Sequence, residues 1–273
     1  MNMKKRFFLL FFLFTTMLAG AQSYGEIGLF GGGSYYLGDL NPGSQFLLTK
    51  PAAGAFIRHN FNERTAIRGS FTYGTLHGDD AISKVNTTRN LNFTSSISDI
   101  SATFEFNFFD YFIGSLRHFV TPYMYGGASV YFFNPKATYN GVTYELHGLS
   151  TEGQGSAAFP ERKAYKRTGF SIPFGIGVKY SINSFIGMSL DWRMHKTFTD
   201  YIDDVSTTYY LDLQGLSPGE AEPFELASDP GLNHNSGMQR GDSKYNDWYS
   251  FVGISISLRL NYLERERCLN VFY

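Results

Sequence analysis

The sequence predicts an all-β chain: an eight-stranded antiparallel transmembrane β-barrel with long loops at one end and short turns at the other. Three observations carry this. The N-terminus has the form of an export signal. Apolar and polar residues alternate with period two in segment after segment. Aromatics make up 18% of the 273 residues and glycines number 29, yet beyond the N-terminal stretch no apolar run approaches the roughly 20 residues of a spanning helix.

Met1-Asn2-Met3-Lys4-Lys5-Arg6 is basic, Phe7 to Phe14 is apolar, and Ala19-Gly20-Ala21 is small. That order reads as a secretory signal peptide over residues 1–21, cut before Gln22. The apolar run is too short for a membrane anchor, and Gln22 is not the cysteine that lipid attachment would need. The expected organisation is a signal peptide (1–21), an outer-membrane barrel (22–260) and a periplasmic tail (261–273). The net charge of −1 shows no basic excess for nucleic acid. Cys268 is the single cysteine, so no internal disulfide can form.

A barrel strand faces lipid on one side and a polar lumen on the other, so its side chains must alternate. In the first strand Ile27, Leu29, Tyr35 and Leu37 alternate with Glu26, Gly28, Gly32, Ser34 and Gly38. Gly31-Gly32-Gly33 is no phosphate loop, because no helix pattern with Lys-Ser/Thr follows. The second strand, 51–59, is weaker, with Ala53, Ala55 and Ile57 against Gly54 and Arg58. In the third, Ile67, Phe71 and Tyr73 oppose Arg68, Ser70 and Thr72. The fourth, 99–108, is the clearest: Ile100, Ala102, Phe104, Phe106 and Phe108 against Asp99, Ser101, Thr103, Glu105 and Asn107. The fifth, 119–133, leaves the facing of Tyr123, Tyr125, Gly127 and Ser129 open. The sixth sets Phe170 to Tyr180 against Ser171, Gly175, Gly177 and Lys179. The seventh sets Ile186, Met188, Leu190, Trp192 and Met194 against Gly187, Ser189, Asp191, Arg193 and His195. In the last, Trp248, Val252, Ile254, Ile256, Leu258 and Leu260 oppose Gly253, Ser255, Ser257 and Arg259. Pro122 and Pro173 fall inside these strands and are read as strand ends or bulges.

Eight strands return both termini to the periplasm. The connections at 60–64, 109–118 and 181–184 are short; those at 38–50, 77–96, 134–167 and 200–244 are long. From a periplasmic start every long one falls outside, the asymmetry expected of an outer-membrane barrel. Its lumen is just wide enough for side chains to fill. Glu26, Asp99, Glu105 and Asp191 then face Arg58, Arg68, Lys179, Arg193 and Arg259, a matched polar network that opposes an open ion path.

Two other chemistries are weighed against this. His195, Asp191 and Ser189 share a strand face and could be drawn as a hydrolytic group, but any lumen-facing row would show that parity. Asp200, Asp203 and Asp204, or Asp79 and Asp80, could bind calcium through oxygen, but their spacing is not that of an EF-hand, and loop acids more often cap backbone. The reading is therefore non-enzymatic, with no catalytic residue, metal, cofactor or small-molecule substrate.

Several segments carry a resemblance. They are Tyr36-Leu37-Gly38-Asp39-Leu40-Asn41, Arg89-Asn90-Leu91-Asn92-Phe93, Glu105-Phe106-Asn107, Thr121-Pro122-Tyr123, Phe133-Asn134-Pro135-Lys136-Ala137 and Thr151-Glu152-Gly153-Gln154-Gly155. The most specific is Phe198-Thr199-Asp200-Tyr201-Ile202-Asp203-Asp204-Val205-Ser206, a loop marked by Asp200, Tyr201, Asp203 and Asp204. With these the chain resembles the PorG-like outer-membrane proteins of Bacteroidota, a family of small barrels that includes a component of the type IX secretion system. The resemblance implies a structural subunit that contacts a periplasmic ring of PorK- and PorN-type proteins in a machine linked to gliding. The tail, with Glu264-Arg265-Glu266-Arg267 and Val271-Phe272-Tyr273, would help dock that ring. A surface-binding (adhesin-like) barrel or a small pore is the alternative.

Overall fold

The computed structural model describes residues 23–260 apart from Asn140, Ala158 and Pro218. The expected signal peptide and the C-terminal tail lie outside the described residues. Among the described residues nine strands form: β1 (Tyr24–Leu37), β2 (Lys50–Asn60), β3 (Thr65–Asp79), β4 (Asn92–Asn107), β5 (Val120–Tyr139), β6 (Val142–Glu145), β7 (Thr168–Ser181), β8 (Ile186–Thr197) and β9 (Trp248–Leu260). All pair antiparallel, in the order β4-β3-β2-β1-β9-β8-β7-β5, and β4 pairs with β5 to close the sheet. The chain is therefore a closed eight-stranded antiparallel barrel. The short β6 folds back on the far end of β5, outside the closed ring.

Closure pairs the backbone around the ring and leaves no sheet edge, which is what hydrocarbon demands. The outward faces are apolar and bare. Phe170 is 71% exposed, Leu29 69% and Ile57 65%. So broad an apolar surface is the mark of a barrel built to meet lipid. No helix among the described residues is long and apolar enough to cross a membrane.

The fifth barrel strand, open in the sequence, is decided by burial. Tyr123, Tyr125, Ser129 and Tyr131 point inward, while Met124 and Phe132 point out. Glycine makes room for these rings. A Cβ on Gly177 would lie 2.6 Å from the Tyr123 ring, and one on Gly175 would meet the Tyr125 hydroxyl at 2.7 Å. Pro173 is neither a strand end nor a bulge. The β5–β7 ladder lacks the two rungs at Gly127/Pro173 and Ala128/Ile172, where proline offers no N–H, but pairs Gly126 with Phe174 and Ser129 with Ser171 in one unbroken register.

Three connections differ from expectation. Strands β3, β4 and β5 run further than the alternation suggested, to Asp79, from Asn92 and to Tyr139. The turn at 108–119 is a lid rather than a simple reversal. Its Tyr111 and Ile113 are buried with Tyr24 against the end of the lumen, and the Gly114 N–H donates to Ser181 Oγ at 2.8 Å.

Candidate functional site

Two buried polar regions lie one above the other, a network in the lumen and a cap made by the long loops. The lumen network begins from register. Glu26 sits between Arg58 of β2 and Arg259 of β9. Arg58 donates to Glu26 Oε2 at 2.7 Å, and its Nε stands 2.9 Å from Glu105 Oε2. Asn60 donates to the other Glu26 oxygen at 2.7 Å. From the far wall Lys179 donates to Glu105 Oε2 at 2.6 Å and to Asn107 Oδ1 at 2.9 Å. Arg68 lies 3.5 Å from Asp191, and its guanidinium covers the Phe56 ring at 3.9 Å. Asp191 also accepts from the Tyr123 and Ser255 hydroxyls.

Arg193 is buried too, but no carboxylate pairs with it among the described residues. It donates to Ser70 Oγ at 3.4 Å and lies between the Phe30 and Phe251 rings, 5.7 Å from each. Arg259 sits at the short-turn end, half-buried. It donates to the Ile113 carbonyl at 3.1 Å and stacks on Phe112 at 4.2 Å, which fastens the lid to the last strand.

His195 does not join Asp191 and Ser189. Its Nδ1 stands 3.5 Å from Asp99 and 3.1 Å from Ser171 Oγ, and its ring stacks on Tyr249. Ser189 instead donates to Asp191 at 3.3 Å. The His195, Asp99 and Tyr249 side chains are wholly buried.

The cap is built from the four long connections and the upper ends of the strands. The Tyr36 hydroxyl lies 2.5 Å from Asp203 Oδ2 and 2.8 Å from Asp247 Oδ1. A phenol has one proton to donate, so two close carboxylates call for a second proton. Burial, then the neighbouring carboxylate charge of Asp39 on Asp203 and of Asp203 on Asp247, raises both acids well above the usual range. Burial, then the charge of Asp203, pushes Asp200 up to about 9. Burial likewise lifts Asp39 to about 6, and lifts Asp204 to about 6 against the pull of Arg240.

Two arginines hold the cap. Arg240 donates to Glu152 Oε1 at 2.9 Å and to the Asp204 carbonyl at 2.6 Å. It also meets the last carbonyls, Ala227 and Ser228, of the short helix Pro223–Ser228. Arg89 forks onto Asp80 at 2.7 Å through two nitrogens and reaches the Asp39 and Arg240 carbonyls. Glu152 takes the Ser206 and Thr207 N–H groups at 2.9 and 3.0 Å, and Tyr201 at 3.4 Å. Asp204 takes the Thr151 and Tyr165 hydroxyls. Asp79 caps the helix Asp80–Ser83. Asp79, Asp80 and Glu152 bind backbone or arginine, Asp203 and Asp204 accept hydroxyls, and no cluster of three or more His, Cys, Asp or Glu side chains is arranged as a metal site among the described residues.

Sequence reasoning missed Arg240, Glu152, Asp247 and Tyr36 as members of one site. A signal for each of the four cap segments was present. Tyr36 to Asn41, Arg89 to Phe93, Thr151 to Gly155 and Phe198 to Ser206, which carry the family resemblance, meet here. Arg240 and Asp247 lie in a loop stretch that carried no such pattern.

Fold and site together define a class: a sealed, lipid-facing eight-stranded barrel with a packed loop cap. Within it, the chain belongs to the family described as a domain of unknown function (DUF6089), whose model matches residues 4–220. No curated protein sequence matches the chain. Among solved structures it is similar to Ail, the attachment invasion locus protein of Yersinia pestis, at 10% identity and TM-score 0.44, covering 88% of this chain and 100% of that one. It is also similar to the outer membrane protein OprG from Pseudomonas aeruginosa, at 10% and 0.41, covering 87% and 97%. The Neisserial surface protein A matches at 10% and 0.39, covering 88% and 99%.

Proposed function

We propose that this chain is a non-enzymatic barrel of a bacterial outer membrane that serves as an assembly subunit of the type IX secretion system. Its short-turn end, in the periplasm, meets a ring of PorK- and PorN-type proteins, and its long loops face outward. The observation that carries this reading is closure at three levels. The lid residues Tyr111 and Ile113 fill the short-turn end. The Glu26, Arg58, Glu105 and Lys179 ion pairs cross the middle. The Arg240 and Glu152 pair locks the loops above. A barrel sealed this way is suited to hold a position and present surfaces rather than to pass solutes, and the resemblance to the PorG-like proteins supports the assembly role over the pore and adhesin-like alternatives.

The test is a mild-detergent pull-down from the native membrane, joined to a deletion strain. The reading expects PorK- and PorN-type proteins to co-purify, and loss of cargo secretion that the full chain restores. Intact secretion in the deletion strain, or a stable open conductance in planar bilayers, would count against it.

A further inference from the structure

The outer wall of the barrel carries a groove of about 780 Å³ where strands β1, β9 and β8 leave the apolar belt. Register sets its back wall. Trp248 pairs with Leu37 on one side and Lys196 on the other, so these three side chains stand in one outward row at the long-loop end. Met194 lies on the same outward face one step nearer the belt. Residues 38–49 fold down beside them on the outside. Phe46 packs on Tyr35 and Trp192 at ring distances of 5.0 and 5.8 Å, so that Tyr35, outward by parity, is fully buried. Pro42 from this loop and Tyr245 from residues 242–247 complete the walls.

The groove is amphipathic. Leu37, Met194 and Trp248 continue the surface that meets acyl chains, and Lys196 and Lys244 bring two cations to the same lining. Neither lysine has a carboxylate within ion-pair distance among the described residues; Lys196 lies 5.9 Å from the Trp248 ring instead. Asp39 and Asp242 also line the groove, but both turn to backbone. Asp39 accepts the Asp242 N–H through both oxygens at 3.1 Å, and Asp242 accepts the Lys244 N–H at 3.3 Å. Unpaired cations at the boundary of an apolar belt match the depth of lipid phosphate, and tryptophan favours that same level.

We propose that this groove binds one lipid molecule with a phosphate-bearing headgroup, its phosphate on Lys196 and Lys244 and an acyl chain along Leu37, Met194 and Trp248. The proposal rests on the outward placement of the long loops, which makes the occupant a lipid of the outer leaflet. A free phosphate is disfavoured, because it would leave the apolar floor of the groove uncovered.

The experiment measures binding of bisphosphorylated lipid A to the full-length barrel in micelles by native mass spectrometry. Heat-dependent gel migration reports separately whether the barrel is folded. Substituting Lys196→Gln and Lys244→Gln together is expected to weaken binding about thirtyfold, from the usual contribution of two interfacial cations. The same change at Lys163 and Lys166 on the loops is expected to leave it unchanged. Lipid A stripped of phosphate, and inorganic phosphate alone, are expected to bind poorly. Equal binding by the Lys196/Lys244 variant, equal loss in the Lys163/Lys166 control, or full binding of either the stripped lipid or free phosphate would overturn the proposal. A barrel that fails the migration assay would instead overturn the membrane reading beneath it.

Discussion

The lumen and the cap are both polar and buried, but they solve the problem of buried charge differently. In the lumen the acids Glu26 and Glu105 meet bases that reach across the barrel, and the ion pairs close within 2.9 Å. In the cap, Asp39, Asp200, Asp203 and Asp247 outnumber the arginines that face them, and protons stand in for missing cations. A cap that holds its carboxylates with protons responds to pH. The lumen groups also stand on the hydrogen-bonded wall itself, whereas most of the cap groups stand on loops. Loss of a charge in the lumen should be felt by the whole barrel, and loss of a charge in the cap by the loops alone.

The largest effect tests the first half of that contrast. Arg58→Met leaves Glu26 and two oxygens of Glu105 with fewer partners in a dry interior. Breaking a buried pair at one partner costs about 3–5 kcal/mol. The urea midpoint of the refolded barrel in micelles should fall accordingly, with one transition for all probes. A wild-type midpoint would show that the lumen is wetter than its geometry implies.

Next comes Arg240→Met, which removes the donor to Glu152 and to three loop carbonyls. Here the expected loss is local. Amide exchange across residues 198–247 should accelerate by roughly a hundredfold, as for a buried pair broken inside one cooperative unit, while the urea midpoint of the barrel stays put. A fall in both would erase the distinction between the two regions.

The smallest effect is the pH response of the cap. Asp39 and Asp204 are raised to about 6 and Asp200 to about 9. A carboxylate raised above its unfolded value of about 3.9 binds more protons folded than unfolded in the interval between. Its stabilisation is complete below that interval and is lost as pH climbs through the folded value. Exchange protection of the cap, corrected for intrinsic rate, should therefore weaken from pH 5 to pH 8, and the strands should not follow. Asp200→Asn should flatten the upper part of that slope. Protection that rises with pH would reverse the sign and remove the shared-proton account.

The same contrast explains what could be read from the sequence. Period-two alternation reports which face a residue takes, and that is all the lumen needs: Glu26, Arg58, Glu105 and Lys179 are inward by parity and then find one another in a space too narrow to avoid contact. Parity does not report neighbours across the barrel, which depend on strand stagger. That is why His195 appeared beside Asp191 in sequence but stands beside Asp99 and Ser171 in space. The cap has no period at all. Tyr36 reaches Asp247 across 211 residues, and Arg89 reaches the Arg240 carbonyl across 151. Such contacts leave only local traces, and Arg240 left none. The lid at 108–119 did leave one: Tyr111, Phe112 and Ile113 are too apolar for a turn that merely faces water.

Strand β5 has 20 residues. At about 3.4 Å per residue it is close to twice the 9–11 residues that a tilted strand needs to traverse hydrocarbon, and β3 and β4 overrun it as well. The excess forms a stiff pedestal, hydrogen-bonded along its flank. Whatever meets the crown of this molecule does so at a set height above the bilayer, and shortening the pedestal by a matched pair of residues on β4 and β5 would lower the crown without altering its surface.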